Sequence, residues 1–343
     1  MVRLKDILKV LIANTVRFIS RPLRNTDPQK VLMVVLTHLG DAVRTLHLAR
    51  TLNEAGYELH AVAKLIPAQL LRLSGLFKEI HEYEPLWVSR NAGWWDTVKG
   101  ALAFARWARK NRFSICVVTH WHPFNYVLAR LSGAPQRIGH KATGAHLLTD
   151  AVEAGAPFGT IKAICALAEP FRLKVRPCWP VKFCVSADAK RLAEEVIQGK
   201  RPYIIVHPGA GAQYKCWSPE NFALVARKVG CETVIVHGPR ERTIAERVSF
   251  LAGNLPIVGP RSVEELVALL EKAVLFVGND AGPSHIAVAC GVPTVVVFMQ
   301  KGKKEVWGYK LQYYFGVEVF RMSDETAVEA VAEACAKLMK EVV

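Results

Sequence analysis

The chain has 343 residues, of which 45 are Lys or Arg and 30 are Asp or Glu, giving a formal net charge of +15. Apolar residues make up 51% and charged residues 22%, a composition that excludes an intrinsically disordered chain. No apolar run reaches the roughly 18 residues that a membrane-spanning helix needs. The eight cysteines are scattered without a CxxC pair, which indicates reduced thiols of a cytoplasmic protein. The positive excess favours polyanionic partners.

Residues 1–29 form a segment of their own. Apolar residues such as Leu4, Leu8 and Leu11 recur at helical spacing, and residues 1–30 carry seven basic and two acidic side chains. Basic residues interrupt the apolar run and no cleavage site follows, so a signal peptide is disfavoured. Two interpretations stay open: an amphipathic helix on an anionic membrane surface, or a helix that docks on the body of the protein.

The first domain begins at Lys30 with a predicted strand over 31–36, a helix over 42–52 and a strand over 57–63. Asp41 lies just beyond a strand end and at a helix start. It is either a helix N-cap or a carboxylate base. A basic helix over 101–110 and a strand over 113–119 follow. The pair Trp94–Trp95 is expected to pack as core or as a loop anchor, with a binding role as the alternative.

Polar loops follow the later strands of this domain. His120 and His122 have no third ligand at a partnered spacing, so a metal site is disfavoured. Residues 137–141 (RIGHK) are expected to form a basic loop. A proline-containing connector over 176–185 separates the two halves, and we place the domain boundary at 178/179.

The second domain carries three glycine-containing loops at predicted strand ends, at 207–211, 237–241 and 278–282. Lys215 follows the first loop and suits a phosphate as counter-charge, or is a surface lysine beside Trp217. Glu241, in the second loop, can accept from ribose hydroxyls or is an exposed charge at a helix start.

Residues 274–298 predict a strand, a loop, a helix and a second strand. Pro283 suits the first turn of the helix, whose N-terminus receives phosphate readily. Gly282 lets a ligand approach the backbone closely, and His285 can donate to a phosphate oxygen. The alternative is that Asp280 caps the helix and His285 is a core histidine.

In order along the chain, four segments resemble the glycosyltransferases of family 9, the ADP-heptose:lipopolysaccharide heptosyltransferases. They are residues 40–46 (GDAVRTL), 207–210 (HPGA), 215–219 (KCWSP) and 278–287 (GNDAGPSHIA). The resemblance implies an α/β protein of the GT-B fold, with two Rossmann-like domains whose parallel sheets face across a cleft. Residues 30–178 would receive the acceptor and residues 179–343 the nucleotide sugar, with the last helix free to pack back on the N-terminal domain.

The resemblance also implies an inverting transfer without metal or other cofactor. Asp41 would be the general base, and Lys215 would neutralise the leaving diphosphate. The residues expected to bind the nucleotide sugar are His207, Gly209, Lys215, Glu241, Asp280, Ala281, Gly282 and His285. Those expected to bind the acceptor are Arg44, His120, Arg137 and Lys141.

The chain departs from the family pattern at four places: His47 stands where the family usually has proline, Ala281 removes a hydroxyl from the phosphate loop, the Ser or Thr often found near Ala212–Gln213 is absent, and Phe298–Met299 replaces the usual Phe-Gly. The sequence therefore predicts transfer of heptose or a related sugar from an ADP-sugar to a phosphorylated, lipid-linked acceptor. A cytoplasmic protein, peripheral on the inner membrane face, fits this activity. One alternative is a nucleotide-sugar epimerase of GT-B fold, which has no use for Asp41 as a base. The other is a non-catalytic membrane- or polyanion-binding protein; no nucleic-acid-binding signature is present.

Overall fold

The computed structural model describes residues 21–89, 92–177, 179–198 and 202–340. The chain divides into two compact units, with the division between residues 178 and 179. Each unit contains one six-stranded, fully parallel sheet. Residues 1–20, which carry most of the expected N-terminal helix, lie outside the described residues. Residues 21–26 form no helix, and the first strand begins at Asp27.

The first unit alternates strands and helices. Its strands are β1 (Asp27–Val35), β2 (Glu58–Ala63), β3 (Phe77–Glu82), β4 (Phe113–Val118), β5 (Gln136–His140) and β6 (Asp150–Val152). Its helices are α1 (Leu39–Glu54), α2 (Leu65–Leu73), α3 (Trp94–Asn111), α4 (Pro123–Leu131) and α5 (Ile161–Ala166). The strand order is β3-β2-β1-β4-β5-β6.

The central strands of this sheet are buried on both faces. Every residue from Val31 to Val35 in β1 is buried, which explains why the strand reads as a continuous apolar run. Strands β2 and β3 lie on one side of β1, and strands β4 to β6 lie on the other side. The loops that follow β1 and β4 therefore open beside each other. Ligands bind at such a point in open α/β sheets. Asp41 follows the first of these strands and His120 the second.

The second unit repeats the arrangement. Its strands are β7 (Tyr203–His207), β8 (Glu232–Val236), β9 (Ile257–Val258), β10 (Leu275–Asn279), β11 (Thr294–Phe298) and β12 (Tyr314–Glu318). Its helices are α6 (Ala187–Ile197), α7 (Pro219–Val229), α8 (Arg242–Leu251), α9 (Val263–Leu270), α10 (Gly282–Ala289), α11 (Lys303–Trp307) and α12 (Asp324–Lys340). The order β12-β11-β10-β7-β8-β9 places the equivalent switch point between β7 and β10.

The predicted fold class, α/β with two Rossmann-like domains, is confirmed by these two sheets, and two details differ. The expected loop at 137–141 is wrong, because Arg137–His140 belong to β5. Gly139 suggested a turn, but a Cβ there would come within 2.9 Å of Leu148, so this glycine permits close packing inside the sheet. The expected packing of Trp94 and Trp95 is also wrong, since both are exposed at the start of α3.

The last helix buries its apolar face in the second unit itself, where Val328, Val331 and Leu338 join the core. Asn221 of α7 donates to Asp324 at its start, at 2.7 Å. The sequence had left open that this helix packs back on the N-terminal domain. Within the described residues, no helix is both long and apolar enough to cross a membrane.

Candidate active site

An ion pair joins two of the predicted loops of the second unit. Lys215 ends a short 3-10 helix, Gln213–Lys215, and its Nζ donates to Asp280 Oδ2 at 2.9 Å. Asp280 directly follows β10 and is largely buried, whereas about a third of the Lys215 side chain is exposed. The cation is therefore held at the carboxyl edge of the sheet while solvent still reaches it.

Asn279, the last residue of β10, fastens these loops together and was not recognised from the sequence. It is fully buried; its Nδ2 donates to Pro208 O at 2.8 Å, and its Oδ1 accepts from Trp217 N at 3.0 Å. This one side-chain amide thus satisfies backbone groups at both ends of the connection between β7 and α7. The available signal was a polar residue, Asn279, at the end of an apolar strand and directly before Asp280.

His285 contacts the same carboxylate from inside α10. Its Nε2 lies 3.6 Å from Asp280 Oδ1, and a 2.7 Å hydrogen bond joins its Nδ1 to the Tyr309 hydroxyl. Burial raises the pKa of Asp280, but the contacts with His285 and Lys215 outweigh burial and hold that pKa well below its usual range. Asp280 therefore stays ionised and orients both Lys215 and His285. Tyr309, which precedes β12, gave no signal in the sequence.

The N-terminus of α10 completes this side of the site. Ala281 is the N-cap and makes no side-chain hydrogen bond to the helix, and Pro283 lies in the first turn. By contrast, Ser218 caps α7 by accepting from Asn221 N. Asp280 is not the helix cap, so that alternative is wrong. Pro283 has no N–H and Ser284 N donates to Ala281 O at 3.1 Å, so the backbone N–H of Gly282, at the start of α10, is left for an anionic ligand.

Glu241 forms a second cluster, beside His207 at the end of β7. One oxygen, Oε2, lies 3.1 Å from His207 Nε2 and accepts from Gly238 N at 2.8 Å. Burial raises the pKa of Glu241, but the hydrogen bond with His207 and the positive charge nearby outweigh burial and hold that pKa below its usual range. The other oxygen, Oε1, has no hydrogen-bond partner among the described residues, so it remains available as an acceptor.

Gly209 lies against the Glu241 carboxylate. A Cβ at this position would overlap that carboxylate, which ends a flexible side chain, so a larger residue here would displace Glu241. Gly209 and Glu241 line a cavity of about 630 Å³. Its other lining residues are Ala210, Gln213, Cys216, Trp217, Ser218, Pro219, Arg240, Thr243, Ile244 and Arg247. The cavity accordingly offers an apolar wall beside a carboxylate and two arginines.

Asp41 lies in the first turn of α1, in the first unit. Thr37 Oγ1 donates to its Oδ2 at 2.7 Å, and Arg44 Nη1 lies 3.4 Å from its Oδ1. The helix N-cap is His38, not Asp41, so the capping alternative is wrong. Arg44 was expected to meet the acceptor; it is buried, and it holds the carboxylate. The carboxylate itself is about one-fifth exposed, so it is oriented and still reachable.

His120 lies close to this carboxylate. Burial lowers the pKa of His120, and the negative charge of Asp41 opposes that shift. His120, Thr37 and His38 line a cavity of about 290 Å³, together with Leu36, Lys64, Leu86, Trp87, Val88, Ser89 and His122. A cavity lined by both polar and apolar side chains therefore adjoins Thr37, which donates to Asp41.

The remaining two residues of the predicted acceptor set lie apart from it. Arg137 is buried, and its guanidinium donates to the carbonyl oxygens of Leu147, Ala134 and Pro135 at 2.8–2.9 Å. These contacts make it a brace for the β5–β6 connection. Lys141 is exposed and paired with Glu153 at 2.8 Å. Among the described residues, no group of three or more His, Cys, Asp or Glu side chains could hold a metal ion.

Comparison with known proteins identifies the family of this chain. Residues 115–318 match the family model described as glycosyltransferase family 9 (heptosyltransferase). This is more than half of the chain, and the chain belongs to that family.

Individual relatives are more distant. The lipopolysaccharide core heptosyltransferase OpsX of Haemophilus influenzae is 28% identical over 132 residues, which are 36% of this chain and 38% of that protein. The chain thus spans about a third of the length of the curated relatives it matches. The crystal structure of a family 9 glycosyl transferase from Veillonella parvula superposes with a TM-score of 0.78 at 19% identity, covering 92% of this chain and 98% of that one. E. coli heptosyltransferase WaaC, solved with ADP-2-deoxy-2-fluoro heptose, gives 0.70 at 14% identity, with coverages of 92% and 100%.

Proposed function

We propose that this protein transfers a heptosyl unit from an ADP-sugar to a hydroxyl group of a lipopolysaccharide-core acceptor, with inversion and without a metal ion. One observation carries the proposal: Lys215, Asp280 and His285 meet at one sheet edge, in the same unit as the Glu241 cluster. The first group suits a diphosphate and the second a ribose. The names of the curated heptosyltransferases and of the ADP-bound relative support the choice of sugar and nucleotide.

The chemical roles follow from the charges. Lys215 and the N-terminus of α10 would stabilise the negative charge that develops on the leaving diphosphate as the bond from the anomeric carbon to its oxygen breaks. Asp280 would hold Lys215 and His285 in position. Glu241 Oε1 would accept hydrogen bonds from the ribose hydroxyls. Because Lys215 and the N-terminus of α10 both supply positive charge, we propose a reaction that needs no divalent cation.

In the first unit, Asp41 would act as the general base. The acceptor oxygen attacks the anomeric carbon, its proton passes to Asp41, and ADP leaves with the electron pair of the broken bond. Thr37 and Arg44 keep both carboxylate oxygens in place. A positioned base of this kind contributes roughly a hundredfold or more to the rate. Because the acceptor would be lipid-linked, a peripheral position at the inner membrane face belongs to the same proposal.

Release of ADP tests the proposal. The intact chain is mixed with an ADP-heptose in a chelating buffer, with and without a lipopolysaccharide-core acceptor. Transfer requires ADP to appear only when both are present, together with an acceptor that has gained one heptosyl unit. Release or isomerisation of the sugar nucleotide without acceptor would instead establish the epimerase, and binding without turnover would establish a binding protein.

A further inference from the structure

The outward face of α3 carries two tryptophans that the fold does not cover. Trp94 and Trp95 are 59% and 70% exposed, and they are the most exposed tryptophans among the described residues. Leu102, two turns further along, is 52% exposed. The opposite face of the helix is packed, with Phe104 and Ala108 fully buried in the core. Because Phe104 and Ala108 pack in the core, the orientation of α3 is fixed and its exposed aromatic groups face outward.

Basic residues share this outward face. Trp95, Lys99, Leu102, Arg106 and Lys110 follow one another at intervals of three or four residues, which places them along one stripe of a helix. All five are exposed. None of the three cations forms an ion pair with another residue in the described part of the chain. The acidic residue exposed at this end of the helix is Asp96, in its first turn.

Unpaired cations beside exposed tryptophans fit a lipid surface better than a protein surface. Tryptophan favours the membrane–water interface, where its apolar ring can be buried while its N–H still contacts water or headgroups. Lysine is depleted in protein–protein interfaces, whereas an anionic leaflet attracts each nearby cation. Long basic side chains also keep their charge at headgroup level while their stems lie against apolar groups.

We propose that the outward face of α3 binds an anionic lipid bilayer, with Trp94, Trp95 and Leu102 inserted at the interface and Lys99, Arg106 and Lys110 against the headgroups. The helix would lie in the plane of the membrane, as amphipathic interfacial helices do. This surface consists of residues of α3 alone. It is defined by exposure and charge alone and does not depend on the proposed reaction.

Vesicle binding by the full chain tests the proposal. Cosedimentation is measured with phosphatidylcholine vesicles that contain or lack phosphatidylglycerol. Two variants are compared with the unaltered chain. The first is the double change Trp94→Ser with Trp95→Ser, and the second is the triple change Lys99→Gln, Arg106→Gln and Lys110→Gln. The first should weaken binding to the anionic vesicles roughly tenfold or more, by loss of apolar burial. The second should weaken it on the order of a hundredfold at low salt, and less at high salt.

Matched changes in the second unit serve as controls. Phe250→Ser removes an equally exposed aromatic residue, at 66% exposure, and Lys182→Gln with Lys190→Gln and Arg227→Gln removes three exposed cations. Both should bind vesicles like the unaltered chain. Trp94→Tyr with Trp95→Tyr should retain most of the binding, which separates loss of the surface from misfolding.

Four results would overturn the proposal. The unaltered chain could fail to bind anionic vesicles, or the α3 variants could bind as tightly as the unaltered chain, which would assign binding to another segment. Equal weakening in the controls would show that net charge alone decides. Sedimentation of the lipid-free chain as a dimer that Trp94→Ser with Trp95→Ser dissociates would assign the face to a second copy of the chain.

Discussion

Lys215 Nζ lies 2.9 Å from Asp280 Oδ2, so the cation proposed to meet a diphosphate is already held by a carboxylate from the loop after β10. His285 approaches the other oxygen of that carboxylate. Because the contacts of Asp280 keep its pKa below the usual range, the carboxylate stays charged and the lysine stays in place without ligand. Such preorganisation lowers the cost of arranging charge when the ligand arrives.

Removing the lysine should weaken nucleotide binding. Lys215→Ala is expected to raise the Kd for ADP at least tenfold, because a charge-assisted contact contributes about 1.5–3 kcal/mol. Titration calorimetry in a chelating buffer measures this and also tests the absence of a metal requirement. Lys228→Ala, which removes an exposed lysine of α7 paired with Glu329, is the control and should leave Kd unchanged. Loss of ADP binding by the unaltered chain in chelator would contradict the proposal.

The Glu241 cluster predicts discrimination for ribose. The unaltered chain should bind ADP more tightly than 2′,3′-dideoxy-ADP, since Oε1 of Glu241 is available to accept from the hydroxyls. Glu241→Ala should abolish that difference while leaving measurable binding of both ligands. Fluorescence-based competition would give the ratio of the two Kd values. If the ratio is the same in the variant, Glu241 does not contact the ribose.

Gly209→Ala should act through the same carboxylate. Its Cβ would overlap Glu241 and displace it, so ADP affinity should fall by about the same factor as in the Glu241 variant. Gly211→Ala is the matched control, because no atom lies within 4 Å of the Cβ it would add. Normal ADP affinity in Gly209→Ala would show that the loop moves freely and that the contact with Glu241 is not needed.

Asp41→Asn should lower kcat about a hundredfold or more and leave the Kd for ADP unchanged, since the general base is lost and the nucleotide loops are intact. Thr37→Val should also lower kcat at unchanged ADP affinity, because the hydroxyl that orients Asp41 is removed. Acceptor-dependent ADP release measures both. Asp188→Asn replaces an acid in the first turn of α6 and should have no effect. Full turnover in Asp41→Asn would remove this residue from the mechanism.

Two buried histidines should make the first unit sensitive to mild acid. Burial lowers the pKa of His47 and of His140 to about 4. The unfolded chain takes up these protons near the ordinary pKa of about 6.5, whereas the folded chain does not, so the free energy of unfolding falls as pH drops from about 6.5 towards 4. At pH 5 each histidine should account for about 2 kcal/mol.

Urea unfolding at several pH values between 7 and 5 checks this dependence. His140→Gln should flatten the pH dependence of the free energy of unfolding, whatever its effect at pH 7. The exposed His146→Gln should leave it unchanged. An unaltered slope in His140→Gln would show that His140 binds its proton equally in both states.

Both sheets, and the approach of Lys215, Asp280 and His285 to one another at a sheet edge, were predictable because their signals are local. Apolar runs that end in glycine-containing loops identify strand ends, and parallel topology brings those ends together at one edge. The contacts that hold the site were not predictable from the sequence. Tyr309 reaches His285 across 24 positions of the chain, through the fold rather than through any motif.

Burial decided the residues that the sequence placed wrongly. Arg137 looked like a loop cation, but the short strand β5 draws it inside, where backbone carbonyls satisfy its guanidinium. Trp94 and Trp95 looked like core, because a sequence does not show which face of α3 the sheet covers. Arg44 was recognised as part of the acceptor side, but its task in the structure is to hold Asp41.

The configuration of the product tests the central claim most directly. The intact chain is incubated with an ADP-heptose of defined anomeric configuration and a lipopolysaccharide-core acceptor in a chelating buffer, and the new glycosidic linkage is examined by NMR spectroscopy. The account predicts one heptosyl unit on the acceptor, joined with the anomeric configuration inverted relative to the donor, and one ADP released for each linkage formed. A retained configuration, a requirement for added divalent metal, or no transfer at all would contradict it.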